Sequence, residues 1–314
     1  MLNHLKFAGL LLCISIPLTF YALNVSVQQT HAVSRGNYFF ENTRKNTSAR
    51  SIILKFADNQ TISFVQKGNF WHIKEADDYY ASFAKINTLI KLLRDAVIYR
   101  ADLSDKNEIS KYTDGGLSIQ IKNDNGDIID DALILPKKEN NLLHYALLNH
   151  DNFLYQITQD FDLSPHLMDW VQMPLLAIAY NQIKFLKTDN FGVYRSYANE
   201  SLKSISNDVE VPHIHNLVNS FWYLSASEVK HAVHFNQDVY KHIKSYEIST
   251  MNGLIYTINI FYGDNEYWLN IKLGHGQIIT ADSMRLLEEN VMLYDGWFFK
   301  INNNLAEAIV HFTL

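Results

Sequence analysis

The chain has 314 residues, of which 47% are hydrophobic and 13% aromatic, enough to form one large or two ordinary globular domains. The formal net charge of −6, without a strongly basic segment, argues against a nucleic-acid partner. The single cysteine, Cys13, lies in the most apolar stretch, so the composition excludes a disulfide, a thiolate metal site and thiol catalysis in the folded part.

The first predicted element is the apolar segment "FAGLLLCISIPLTFYAL" at residues 7–23, which contains no charged residue. Its length is near the lower limit for a membrane-spanning helix, and it also resembles the apolar part of a signal peptide. We expect residues 1–23 to be an uncleaved anchor that crosses the inner membrane once; a cleaved signal and a buried core helix are the alternatives. Lys6 favours a cytoplasmic N-terminus, which places the C-terminal region in the periplasm after a polar spacer at residues 24–46.

The first half, residues 47–178, is predicted to be an α+β unit with hairpins and one amphipathic helix. Apolar runs beside turn residues predict strands at SIILKF, TISFV, NFWHI, LSIQI, HYALL and FLYQI. A helix is predicted from Ser82, because apolar residues recur there at helical spacing. Its apolar face consists of Phe83, Ile86, Leu89, Ile90, Leu93 and Val97. A short helix is predicted from Ser164 to Trp170, where a serine precedes a proline.

The second half, residues 179–314, repeats this order. Strands are predicted at QIKFLKT, FGVYRSY, LIYTINIFY, EYWLNIKL and GWFFKI, and helices from about Pro212, Asp282 and Leu305. Aligning the helix from Pro212 with the helix from Ser82 superimposes their apolar faces. The aligned pairs are Ile214 with Ile86, Leu217 with Leu89, Val218 with Ile90 and Phe221 with Leu93.

This alignment predicts an α+β fold with two tandem repeats, each a mainly antiparallel sheet with a packed helix. Residues with a structural role are expected on the two helices and at three tryptophans. They are Trp71, Ile86, Leu89, Ile90, Leu93, Ile214, Leu217, Val218, Phe221, Trp268 and Trp297.

Histidines in the second half raise the question of a metal site. His213 and His215 would lie about 200° apart on a helix, so they cannot bind one metal ion there. His231 and His234, three residues apart, are the better candidates for a metal, and Asp238 or Glu228 could supply a carboxylate ligand. We favour the alternative that they lie on a solvated helix face, because the short zinc signatures are absent, and we expect neither a metal nor a cofactor.

Other patterns do not identify an active site. The adjacent carboxylates Asp77–Asp78, Asp130–Asp131 and Glu288–Glu289 point in different directions on a helix or strand, so we predict surface charge at each of them. The nucleophile elbow, the phosphate-binding loop and the H-E-x-x-H helix are absent from the sequence, so no catalytic residue is assigned and we do not expect an enzyme. Trp71, Trp222, Trp268 and Trp297 either line a ligand groove or, as we favour, fill the core.

Several segments resemble the bacterial domain-of-unknown-function family numbered 4340 (DUF4340), from about Gly36 to the C-terminus. They are "GNYFFENTRKNTSARSIIL", "NFWHI", "AKINTLIKLLRDA", "DLSPHLMDWVQMPLL", "EYWLNIKL" and "GWFFKINNNLAEAI". The chain departs from the family pattern at "KYTDGGL" and at Pro136, which loosens the match in the first repeat. The resemblance implies an anchored α+β envelope protein without established catalytic residues, and some relatives are linked with auxiliary components of gliding-type ABC transport systems.

Together these observations predict a non-catalytic envelope protein that acts as a binding or scaffold component, with ABC transporter subunits as the expected class of partner. A metal-dependent envelope hydrolase that uses His231 and His234 is one alternative. A ligand-binding module with an aromatic groove is the other.

Overall fold

The computed structural model describes residues 36–45, 49–103, 115–137, 143–149, 153–173, 175–176 and 178–313. The predicted anchor at residues 7–23 and the first part of the predicted spacer lie outside these residues. Within them, no helix is both long and apolar enough to cross a membrane. The described chain divides into two compact units, residues 36–66 with 86–165 and residues 67–85 with 166–313.

Antiparallel strands and a few helices make up both units, which confirms the predicted α+β class. The strands are β1 (Ser51–Lys55), β2 (Thr61–Lys67), β3 (Phe70–Ile73), β4 (Tyr79–Tyr80), β5 (Ile98–Leu103), β6 (Leu117–Lys122), β7 (Ile128–Ile134), β8 (His144–Leu148), β9 (Phe153–Ile157), β10 (Ile183–Lys187), β11 (Gly192–Tyr194), β12 (Lys203–Ser204), β13 (Ala226–His231), β14 (Lys241–Thr250), β15 (Leu254–Gly263), β16 (Glu266–His275) and β17 (Trp297–Ile301). The α-helices are α1 (Glu41–Lys45), α2 (Phe83–Asp95), α3 (Ile214–Trp222), α4 (Ala281–Tyr294) and α5 (Asn303–Val310).

The strands follow the same order in the two units. In the first unit, β2-β1-β6-β7-β8-β9-β5 lie side by side, each antiparallel to its neighbours. In the second unit the order is β12-β11-β10-β14-β15-β16-β17-β13, again antiparallel. Apart from the edge strand β12, the orders match strand for strand, with β1 equivalent to β10, β2 to β11, β5 to β13, and β6–β9 to β14–β17. A helix, α2 or α3, precedes β5 or β13 in the chain.

Both of these helices bury one apolar face. In α2, Ile86, Leu89 and Leu93 are buried and Ile90 is half-buried, whereas Phe83 is 73% exposed and does not belong to the buried face. Phe83 is the first residue of the helix. Because side chains of a helix tilt toward its N-terminus, the Phe83 ring extends beyond the part of the helix that is buried. The aligned residues of α3 are all buried; they are Ile214, Leu217, Val218 and Phe221.

The unit boundaries differ from the predicted repeats. Residues 67–85, which carry the antiparallel pair β3–β4, and residues 166–178 were predicted in the first repeat, but they belong to the second unit. The predicted helix at Ser164–Trp170 is reduced to one 3-10 turn at Leu167–Trp170. Sequence periodicity identifies strands and helices locally, but it does not determine which compact unit a short segment belongs to.

The strands β5, β13 and β14 were not predicted, and neither were the two-residue strands β4 and β12. β5, β13 and β14 are rich in lysine, arginine, histidine or serine, so their apolar alternation is weak. In β14, only every second residue near the end is buried, namely Tyr246, Ile248 and Thr250. Missing β13 has a direct consequence, because His231 ends this strand and His234 lies in the turn that follows, not on the predicted helix face.

Candidate functional site

A cleft of about 370 Å³ lies in the first unit, where β6 begins and β7 ends. This volume falls within the range of small-ligand sites in proteins. Its walls combine apolar side chains with an imidazole, an ammonium group and two carboxylates. The lining residues are Gly115, Leu117, Ile134, Leu135, Pro136, Lys137, His144, Asp160, Phe161 and Asp162.

The end of β7 forms one wall of the cleft. Leu135 continues the pairing by donating its backbone N–H to the carbonyl of Tyr145. Pro136 cannot continue the pairing, since it has no N–H, and the chain leaves the sheet there. Gly115 fits this wall closely, because its φ is +94° and a Cβ on it would lie 3.2 Å from the Pro136 ring. A larger residue at Gly115 would therefore be strained and would press on the wall.

His144 is the buried polar group of the cleft. It is the first residue of β8, and its Nε2 lies 2.7 Å from Oδ1 of Asp160. Its Nδ1 lies 3.3 Å from the backbone carbonyl oxygen of Leu135. Both ring nitrogens therefore face hydrogen-bond acceptors, and the imidazole is fixed in position from two sides.

Asp160 bridges two donors. One carboxylate oxygen is bound by His144, and the other lies 3.1 Å from Nζ of Lys137. The hydrogen bonds from His144 and then from Lys137 hold the pKa of Asp160 below its usual range, while partial burial opposes them. The next residue, Phe161, is buried with its ring 6.1 Å from that of Phe40, so the backbone beside Asp160 is held by the core.

The contacts of the His144 imidazole differ from those of a histidine that acts as a general base. A histidine that acts as a general base keeps one nitrogen directed at the group whose proton it takes. In the cleft, one nitrogen of His144 is taken by Asp160 and the other faces the Leu135 carbonyl. Among the residues that the structure describes, neither nitrogen is directed at a nucleophile.

The structure places the predicted metal candidates, His231 and His234, around Asp77 in the second unit. The Asp77 carboxylate accepts the backbone N–H of His231 at 2.7 Å and lies 2.7 Å from Nδ1 of His234. Burial raises the pKa of Asp77, but the hydrogen bonds from His234 and from the His231 backbone outweigh it, so the net pKa is lowered. The His231 ring packs edge-on against Trp297, with centroids 4.9 Å apart.

The proposed carboxylate ligands do not complete a metal site. Glu228 pairs with Lys230 at 3.0 Å, and the structure shows no bond from Asp238 to either histidine. Among the described residues, no group of three His, Cys, Asp or Glu side chains is arranged to hold a metal ion. His213 and His215 are both exposed, and the His215 ring lies 4.6 Å from that of Tyr180.

Two aspartates predicted as surface charge are partly or fully buried. Asp130 is buried in β7, and its carboxylate accepts the backbone N–H of Thr43 at 2.7 Å. Asp77, described above, is likewise partly covered and bound by two donors. Adjacent residues on a strand point to opposite faces, so Asp130 turns inward while Asp131 stays half-exposed. The prediction that paired carboxylates diverge holds for Asp130 and Asp131, but the prediction that both are exposed is wrong.

The tryptophans do not form a common groove. Trp268 is fully buried in an aromatic cluster, with Phe235 5.6 Å from it. Trp297 is buried against Tyr79, 4.9 Å away. Trp71 is half-buried in β3, and Trp222 is exposed at the end of α3. Two of the four groove candidates are therefore core residues.

The cleft residues were not among the predicted site residues. Lys137, His144 and Asp160 are separated by 7 and 16 positions along the chain and come from three different segments. No local pattern links them, because only the pairing of β7 with β8 and of β8 with β9 brings them together.

Comparison with protein-family models gives no match, and neither curated proteins nor solved structures give one. The resemblance to family 4340 therefore rests on the quoted segments and stays a prediction.

Proposed function

We propose that the chain is a non-catalytic envelope protein that binds a small ligand in the cleft of its first unit and otherwise serves as a scaffold. The observation that carries this proposal is the cleft with the fixed His144 at its base. Apolar walls with a few converging polar groups are typical of ligand sites. The engagement of both His144 nitrogens supports binding over catalysis.

The second unit differs from the first at the position equivalent to the cleft, which supports different roles for the two units. There β15 and β16 are joined by Asp264 and Asn265 alone, both with positive φ, as a tight hairpin turn requires. Asn303 donates to the Asn265 carbonyl at 2.8 Å, which ties the turn to α5. We infer that the two units arose by tandem duplication, that the first carries the ligand site, and that the second is structural.

The membrane setting is a further part of the proposal. The apolar segment at residues 7–23 supports an anchor in the inner membrane, with the two units in the periplasm. The resemblance to family 4340 supports ABC transporter subunits as partners. Affinity capture of the full-length protein from lightly cross-linked membranes tests this part. We expect ATPase and permease subunits to be recovered, and recovery of the bait alone would contradict the assignment of partners.

Ligand binding is tested by thermal unfolding of the full-length protein with small carboxylates, amines and neutral amphiphiles. A ligand that binds only the folded chain raises Tm as its concentration increases. We expect at least one class to raise Tm in the natural chain and not in Leu117→Trp, which fills the cleft. Val233→Trp is the matched control, because Val233 is exposed in the second unit. If no compound raises Tm, or if Leu117→Trp responds like the control, the cleft is not the ligand site.

A further inference from the structure

Asp160 differs from the groups that it binds in how firmly it is held. His144 is buried and is bound to the Leu135 carbonyl, so its position is set by the sheet. The Asp160 side chain is 61% exposed, although its backbone is held beside the buried Phe161. The pair with Lys137 is exposed on both sides and contributes little to stability, so the carboxylate can leave when another anion takes over its bond to the buried His144.

We propose that Asp160 occupies the place of a ligand carboxylate, and that the cleft binds small amphipathic monocarboxylates in exchange for it. The inference rests on the proposed function, since it names the ligand class and the regulation of the same cleft. The two donors, Lys137 and His144, bind one oxygen each of a single carboxylate. A ligand carboxylate can make the same two bonds once the Asp160 side chain turns to solvent.

The remaining walls define the rest of the ligand. Leu117, Ile134 and Phe161 offer apolar surface beside the two donors, which suits a short hydrocarbon body. Asp162, the other carboxylate of the lining, is exposed and would repel a second negative charge on the ligand. Monocarboxylates are therefore favoured over dicarboxylates of the same length.

The exchange also makes the cleft self-inhibited. With Asp160 in place, the donors are satisfied and an incoming anion must compete with an internal one. The local concentration of a tethered carboxylate is high, so the natural chain binds weakly and selects ligands that also fill the apolar walls. Removing the Asp160 charge should therefore increase affinity.

The experiment measures binding of hexanoate to the full-length protein by calorimetry, with hexylammonium and adipate as matched probes. We expect Asp160→Asn to bind hexanoate roughly tenfold more tightly than the natural chain. Lys137→Gln should lose a similar factor, because it removes one donor. Hexylammonium should not gain affinity in Asp160→Asn, and adipate should bind more weakly than hexanoate.

Asp162→Asn is the control for charge alone. It removes the same negative charge from the cleft without freeing the donors of Lys137 and His144, so we expect a smaller gain than in Asp160→Asn. Equal gains would overturn the exchange and leave only a general electrostatic effect. Asp124→Asn, at another exposed and paired aspartate of the first unit, should behave like the natural chain. Asp160→Ser repeats the test if the asparagine variant does not fold.

The outcomes separate the two proposals. If hexylammonium or a neutral amphiphile binds in the cleft and hexanoate does not, the monocarboxylate assignment is wrong while the proposed ligand site stands. If no probe or library compound binds to any variant, the ligand site itself is wrong.

Discussion

Both units pair an aspartate with a histidine at 2.7 Å, and they bury opposite partners. In the first unit the side chain of His144 is 8% exposed and that of Asp160 is 61% exposed. In the second unit His234 is 62% exposed and Asp77 is 24% exposed. The distance alone would make these pairs equivalent, but burial decides which partner is fixed.

The fixed partner determines what each pair can do. Asp77 also accepts the His231 backbone N–H, so its carboxylate holds a strand end in place and His234 is an added, exposed donor. In the first unit the imidazole is fixed and the carboxylate is the exposed partner. A ligand anion can replace the carboxylate in the first pair, whereas in the second pair it would have to displace a partly buried group that the backbone binds.

The two units differ in the connection that follows β7 in the first unit and β15 in the second. Residues 135–143 connect β7 to β8, whereas Asp264 and Asn265 alone connect β15 to β16. The order of the equivalent strands is the same in both units, so this difference lies in a connection and not in the order of the strands. Longer connections cost little in closure entropy, and binding sites commonly arise in the connections of a shared scaffold.

The largest effects are expected where the units are most alike, in the helices. Leu89→Ala and Leu217→Ala each remove a buried side chain at an aligned position, and each should lower the free energy of unfolding by about 2–5 kcal/mol. Urea unfolding measures the change, and Phe83→Ala, at an exposed position of the same helix as Leu89, should be nearly neutral. An unchanged midpoint in both leucine variants would show that the helices do not contribute equivalent core residues.

Intermediate losses of unfolding free energy are expected at the two Asp–His pairs. The residue whose replacement costs more should be the aspartate in the second unit and the histidine in the first. Asp77→Ala leaves the His231 N–H without its acceptor and should cost about 1–3 kcal/mol, while His234→Ala should cost less than about 1 kcal/mol. In the first unit the ranking is opposite, because His144 is the buried partner there, so His144→Ala should cost more than Asp160→Ala. The same urea experiment compares all four variants. An equal cost for the two members of either pair would contradict the assignment of fixed and exchangeable partners.

Sequence reasoning succeeds here where the signal is local. Ile86, Leu89 and Leu93 recur at helical spacing, and the Asn-Gly turn before Ile128 marks a hairpin, so these elements can be read from neighbouring residues. The cleft depends on strand pairing across many positions, which local periodicity does not contain. Asp130 shows the same limit, because a carboxylate that is normally exposed is buried here by its pairing with Thr43.

The smallest effect is a pH dependence that should differ between the pairs. The pKa values of Asp77 and Asp160 are both lowered in the folded chain, so each carboxylate stabilises the fold above the unfolded pKa of about 3.9. This contribution is lost as the pH falls through the lower, folded pKa, because protonation then weakens the bonds to the histidines.

The difference in unfolding free energy between the natural chain and Asp77→Asn should therefore shrink as the pH is lowered from about 6 to about 3. The corresponding difference for Asp160→Asn should shrink less, because solvent screens the more exposed carboxylate. Asp124→Asn, at an exposed aspartate that pairs with Arg50 on the surface of the first unit, is the control. If the Asp160 difference changes more steeply than the Asp77 difference, Asp160 is held more firmly than its exposure implies, and it would not be readily exchanged for a ligand.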